Sequence, residues 1–212
     1  MTAADISHFA ACLQFVFNAG ECRNPTVDQV HRIAGPEEPL HTDKEIGIML
    51  APEHAAASID RLRAGRERSG RPWRGFDLVP TVPVILGPDV EACADAIRGY
   101  VALYVGGMGS AKQNFYNRLV SSIGFEETAR RVQVAYLDGR PRDAAALLPL
   151  ELLDAVALLG PAERVAERVH RYADVGVTTL SITPFDHTPT ERLATLRTLA
   201  ELVGPASPQG SA

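Results

Sequence analysis

The chain reads as an α/β protein with parallel strands, and two observations carry that expectation. Short runs rich in Val and Ile alternate with amphipathic helical patterns, and where a run ends, a small residue, a proline and an acid introduce the next helix. A parallel neighbour is reached only by crossing over the sheet, so this alternation implies parallel pairing with right-handed crossovers. Periodicity alone leaves a doubly wound sheet as open as a barrel, although the dinucleotide fingerprint G-x-G-x-x-G after a strand is missing.

Taken in chain order, residues 1–45 fit the pattern poorly: 8–18 could be helix or buried strand, and Pro25, Pro36 and Pro39 punctuate the stretch from 24 to 44. A first strand at 46–50 runs into Ala51-Pro52-Glu53-His54 and a helix over 55–68. A second strand spans 78–86; Gly87 can cap, Pro88 suits the first helical position, and Asp89 suits the positive end of a helix running towards Tyr104. Between 106 and 159 no convincing strand appears. The apolar spacing there (Phe115, Leu119, Ile123; Ala129, Val132, Tyr136; Leu152, Val156) suggests short helices inserted before the last strand.

Gly160-Pro161-Ala162-Glu163 opens a helix with Val165, Val169, Tyr172 and Ala173 on one face and Glu167 four residues before Arg171; Gly176 is its expected C′ residue. A third strand at 177–183, bounded by Pro184, precedes a last helix over 190–203. The division expected is thus an N-terminal segment 1–45, a body 46–204 with its helical insertion 106–159, and a frayed tail 205–212.

Composition limits the function classes. The 212 residues are 46% hydrophobic and 22% charged, enough for one folded unit with a sizeable core. The formal charge is −5, and Lys and Arg are scattered among Asp and Glu, so nucleic acid is not an expected partner. No apolar stretch approaches the roughly 20 residues of a membrane helix. The first seven residues carry Asp5 and no Lys or Arg, unlike a secretory leader, so a cytoplasmic protein is expected. Cys12, Cys22 and Cys93 lack C-x-x-C spacing and read as reduced thiols; with His8, His31, His41 and His170 also out of ligand spacing, no metal is expected.

Read together, Pro52-Glu53-His54-Ala55-Ala56, Val82-Pro83-Val84-Ile85, Tyr104-Val105-Gly106-Gly107-Met108-Gly109, Asn114-Phe115-Tyr116-Asn117 and Gly160-Pro161-Ala162-Glu163-Arg164-Val165 with Ala173-Asp174-Val175-Gly176-Val177 resemble the luciferase-like monooxygenase family. The likeness runs from about 46 to 203 and is greatest to the branch using the 8-hydroxy-5-deazaflavin coenzyme, F420. It implies a (β/α)8 TIM-type barrel, a planar cofactor (F420, alternatively FMN) at the C-terminal mouth, and hydride transfer or monooxygenation of a small organic substrate. A full barrel needs eight βα units, about 250 residues in all. The three strands resemble the last three of such a barrel. The chain then reads as its C-terminal part: either a truncated relative or a short form that completes its sheet by association, and self-association is expected.

In barrel enzymes the site lies where strands end and helices begin. After the first strand, Pro52, Glu53 and His54 could line the mouth or simply open a helix. After the second, the amides of Gly87 and Pro88's turn could face an anion or serve a turn and cap. Gly106, Gly107 and Gly109 follow a helix, so they are no P-loop. They could form a lid with Lys112, Asn114 and Tyr116 as polar contacts, or a plain helix-to-helix turn. After the last strand, Thr183, Asp186 and His187 bring an acid and an imidazole together where proton transfer or phosphate contact would be useful, or form a surface turn before Pro189. Gly87, Thr183, Asp186 and His187 are therefore the candidate cofactor contacts. No residue is assigned as catalytic, because in hydride transfer the cofactor carries the chemistry.

Overall fold

The computed structural model describes residues 44–110 and 113–203. In chain order these form β1 Lys44–Ile48, a 3₁₀ turn Pro52–His54, α1 Ala56–Arg68, β2 Asp77–Leu86, α2 Val90–Ala102, a π-helical turn Leu103–Gly107, α3 Phe115–Val120, a kinked connection Ser121–Phe125 in which Ile123 and Gly124 leave helical geometry, α4 Glu126–Leu137, α5 Pro141–Ala146, α6 Leu150–Ala155, β3 Leu158–Gly160, α7 Ala162–Asp174, β4 Ser181–Pro184 and α8 Pro189–Val203.

All pairings are parallel, and β2 makes every one of them. Thr81 is matched with Ile48 and with Ser181, and Val84 with Leu158 and with Pro184. A residue has one neighbour per edge, so β4 runs along one edge of β2 while β1 and then β3 share the other. Two prolines fit this hand-over, since proline has no N–H to give a ladder. Odd-numbered residues of this stretch bond towards β3, as Gly87 N–H does to Gly160 O. Pro83 therefore turns its missing donor to the gap where β1 has ended and β3 has not begun. Pro80, of opposite parity, turns its own towards the stretch just before β4 starts at Ser181.

The residues of β2 alternate between two cores. Leu78, Val82 and Val84 pack with Leu158, Val165, Val169, Tyr172, Ile182, Leu196 and Leu199, the layer covered by α1, α7 and α8. On the other face Val79, Thr81 and Ile85 are half-buried. There Ile48, Ile85 and Leu159 join the second core, built from α2 to α6 around Ile97, Val101, Val120, Val132, Leu152 and Leu153. The helical segment thus sits over the C-terminal ends of the strands. Among the described residues no helix is long and apolar enough to cross a membrane.

Parallel strands, alternation with helices and a helical insertion all match the expectation from sequence, with corrections: the last strand, expected over 177–183 and bounded by Pro184, is Ser181–Pro184 and includes that proline, and the first, expected over 46–50, is Lys44–Ile48. There is a fourth strand, β3, too short at three residues for alternation to show. The cap of α2 is Asp89, whose carboxylate accepts from the amides of Glu91 (2.9 Å) and Ala92 (3.4 Å), so the helix starts at Val90 instead of Pro88. Arg171 turns to Glu53 (3.4 Å), where a pair with Glu167 was expected. The end of α7 does match: Gly176 has φ +92° and the amides of Gly176 and Val177 close a Schellman motif on Ala173 and Tyr172.

Candidate functional site at the C-terminal ends of the strands

Four strand ends converge beneath the helical segment. The first leads through Met49, a non-glycine residue held at φ +64° and buried, into the Pro52–His54 turn. Glu53 in that turn faces α7: its carboxylate takes Arg168 at 2.9 and 3.3 Å. Burial by itself would raise the Glu53 carboxyl, but its own backbone hydrogen bond and the guanidinium groups of Arg168 and Arg171 outweigh that and hold it below the usual range. Arg168 also bonds to the carbonyls of Ala155 (2.6 Å) and Ala157 (3.1 Å), and Tyr172 donates to Leu50 O (2.9 Å). Arg164 is matched two-pronged to Asp154, at 2.7 Å twice, and donates to Leu159 O. The arginines of α7 therefore tie down the segments entering β3 and leaving β1, and the depression that Arg164, Glu167, Arg168 and Arg171 line is a network already neutralised by protein acids.

At the end of β2 the Gly87 amide is donated to Gly160 O at 3.1 Å, and a Cβ on Gly87 would lie 2.8 Å from the Cys93 sulfur. The first amides of α2 are taken by Asp89. Burial, reinforced by the charges of Asp89 and Asp186, pushes the Cys93 thiol up, against a bond from Gly160. This corner offers an anion an acid and a neutral thiol.

Near the end of β4, Thr183 is half-buried and paired with Pro83. One oxygen of Asp186 accepts from Thr195 (3.1 Å) and its backbone carbonyl from Arg192 (2.9 Å), while the other carboxylate oxygen is buried without a partner. His187 is exposed. Thr188 and Glu191 then form a capping box, with Thr188 N–H to Glu191 at 2.8 Å and Glu191 N–H to the Thr188 hydroxyl at 3.2 Å.

The glycines of the insertion are packed. A Cβ on Gly106 or on Gly107 would come within 2.5 Å of Tyr136. Asn114, 2% exposed, donates to the carbonyls of Tyr104 (3.0 Å) and Val105 (2.9 Å), and Asn117 to Val105 and Ala129; both side chains satisfy oxygens around the π turn. Gly109, at φ +138°, supports the turn beyond. Lys112 lies outside the described residues.

Tyr116 belongs to a continuous row of rings. Phe185, just past β4, meets Tyr100 at 4.9 Å; Tyr100 meets Tyr104 at 4.8 Å; Tyr104 meets Tyr116 at 4.8 Å; and Tyr116 meets Phe115 at 5.4 Å. This row joins the two groups of sequence candidates, the strand-end turn and the insertion. Tyr100 and Tyr104, which link them, were not among the candidates. Their four-residue spacing at the end of a helix was the available signal.

A parallel sheet whose strand ends are roofed by a helical insertion defines the class: part of a (β/α)8-type barrel. Comparison with known proteins then gives the family. The model of the luciferase-like monooxygenases matches residues 43–179, and the chain belongs to that family. It is 28% identical over 143 residues to a Mycobacterium tuberculosis protein provisionally named as a coenzyme F420-dependent oxidoreductase, a match covering 66% of this chain and 41% of that protein. Among solved structures it resembles the coenzyme F420-dependent tetrahydromethanopterin reductase of Methanopyrus kandleri (TM-score 0.57, 18% identity, 76% of this chain and 43% of that one). It also resembles an F420-dependent secondary alcohol dehydrogenase in complex with an F420–acetone adduct (TM-score 0.56, 13% identity, 77% and 43%). The chain spans less than half the length of each.

Proposed function

We propose that this chain is the C-terminal part of a coenzyme F420-dependent oxidoreductase that transfers hydride to or from a small organic substrate. The observation that carries the reading is the site itself: a helical roof and an aromatic row set over the C-terminal ends of parallel strands, in a chain of this family. The relatives' names favour F420 over FMN and say nothing for monooxygenation. The division proposed is a body over 46–204 carrying the insertion, flanked by 1–45 and 205–212, in a cytoplasmic protein.

The residues present fit the ring of such a cofactor better than its anionic portion. The free, buried carboxylate oxygen of Asp186 is an acceptor in need of a donor, and Thr183 supplies a hydroxyl nearby in sequence at the same strand end. Gly87 has no free amide and Asp89 occupies the helix start, so an anion would be held by other residues. His187, being exposed, would act only at the rim. When bound, F420 would supply the hydride chemistry; the chain's own residues orient it and exclude water beneath the insertion.

The outer edges of β1 and β4, each of which pairs only with β2 among the described residues, support association with further strands, from a second copy or from another chain. Titration of the purified chain with F420 and, separately, with FMN, followed by the cofactor's absorbance, tests the function. Saturable binding of F420 alone is expected. Binding of neither removes the enzyme reading for the isolated chain and leaves a non-catalytic association module.

A further inference from the structure

We propose that Arg168 is a positioning residue of the mouth: its one guanidinium couples the end of the helical insertion to the turn after β1, so roof and strand end are set together. Each nitrogen has its own task. Nε donates to Ala157 O at 3.1 Å, Nη1 to Glu53 at 2.9 Å, and Nη2 to Glu53 at 3.3 Å and to Ala155 O at 2.6 Å. Ala155 ends α6, the last helix of the insertion, and its carbonyl is one of those that a helix C-terminus leaves without a partner inside the helix. α6 in turn places Leu152 and Leu153 in the core of the roof, so a shift of Ala155 is felt there. Glu53 stands in the Pro52–His54 turn, and among the described residues its carboxylate bonds to no side chain outside α7.

Capping α6 would need a donor alone, and neutralising Glu53 would need a charge alone. Arg168 does both through one planar fork, so it cannot let go of the insertion and keep its geometry on Glu53. Its side chain is 7% exposed, so water does not replace a lost partner. The contacts on the same ridge of α7 show what is particular to it. Four residues earlier, Arg164 holds Asp154 and Leu159 O, both on the insertion side; four residues later, Tyr172 holds Leu50 O, on the side of β1. Of the three, Arg168 is the one bonded to both sides. Arg171, 59% exposed and 3.4 Å from Glu53, is a solvated contact of small weight. The inference rests on the function proposed above only for calling the coupled region a cofactor mouth; the coupling itself belongs to the free chain.

The test is native-state hydrogen exchange of the full chain without cofactor, in the parent, Glu53→Gln and Arg168→Lys. Glu53→Gln alters only the turn, and Arg168→Lys keeps the charge but lacks the fork that reaches Ala155 and Ala157 as well. The expected result is that the amides of Leu152, Leu153 and Val156 exchange about threefold to tenfold faster in both variants, beyond any factor shared with Leu196 and Leu199 of α8. Titration with F420 then reads the mouth: affinity should fall by a similar factor and the induced circular dichroism of bound F420 should change, with no rescue by lysine. A residue that merely balanced charge would be rescued. Equal factors in α6 and α8 overturn the proposal, as do parent-like α6 exchange in a folded variant and F420 bound by both variants with parent affinity and dichroism. Should Arg168→Lys fail to fold, Glu53→Gln decides by the same readouts, since the Glu53 side chain is partly exposed. Faster α6 exchange in the variants with no F420 binding by the parent would sink the function and keep the coupling; F420 binding with unchanged α6 exchange would sink the coupling alone.

Discussion

Arg168 lies 115 residues beyond Glu53, and no spacing in the sequence links the two, yet the Arg168 side chain is only 7% exposed and holds three acceptors. A contact of that separation is a product of the fold, which is why Glu53 could be read from sequence only as a residue near the mouth or at a helix start. Glu53→Gln should lower stability at pH 7 by about 1 kcal/mol, a value discounted because the Glu53 side chain is 41% exposed. The sign with pH follows from the depressed carboxyl: its stabilisation is present above the unfolded value and is lost as pH falls through the folded one. Urea unfolding should therefore show the gap between parent and variant closing below the ordinary carboxylate range; a constant gap would mean that charge is not the cause. Asp89→Ala should cost about 1 kcal/mol through the lost cap. Asp89 itself was legible in the sequence as a helix-start acid, displaced by one role, because proline followed by acid fits either assignment.

Elements of regular period were the legible ones. The strand at β2 and the helices α1, α2, α7 and α8 stand close to their expected ranges, since ten to fifteen residues give periodicity room to show. β3 was hidden by its length and by the left-handed Gly160 that ends it, at φ +107°. The π turn, whose extra residue leaves no mark in composition, and the kink after α3, where Gly124 takes φ +100°, were both hidden. One of them decides how Gly106 and Gly107 are understood: they allow Tyr136 to lie against backbone, a packing role that the lid reading does not require. Gly107→Ala should destabilise by about 1–3 kcal/mol through overpacking, and adding Tyr136→Ala should recover part of the loss in a double-mutant cycle. Additive losses would contradict the contact, and an unchanged midpoint for Gly107→Ala would return these glycines to a hinge.

For the whole molecule, parallel order was readable from alternation, and the barrel came from resemblance, since periodicity could not choose between open and closed sheets. The edges explain what alternation could not give. Within the described residues β1 and β4 pair only with β2, which leaves their outer edges able to take further strands. Sedimentation equilibrium should show a species larger than one 22.8 kDa chain; a monomer at all concentrations would contradict completion by self-association. The central claim is that these strand ends, roofed by the insertion, receive the cofactor. A crystal structure of the chain grown with coenzyme F420 tests it most directly. The account predicts ordered F420 between the ends of β2 and β4, within reach of Thr183, Phe185 and Asp186. F420 ordered instead along the arginines of α7, or absent at saturating concentration, would contradict it.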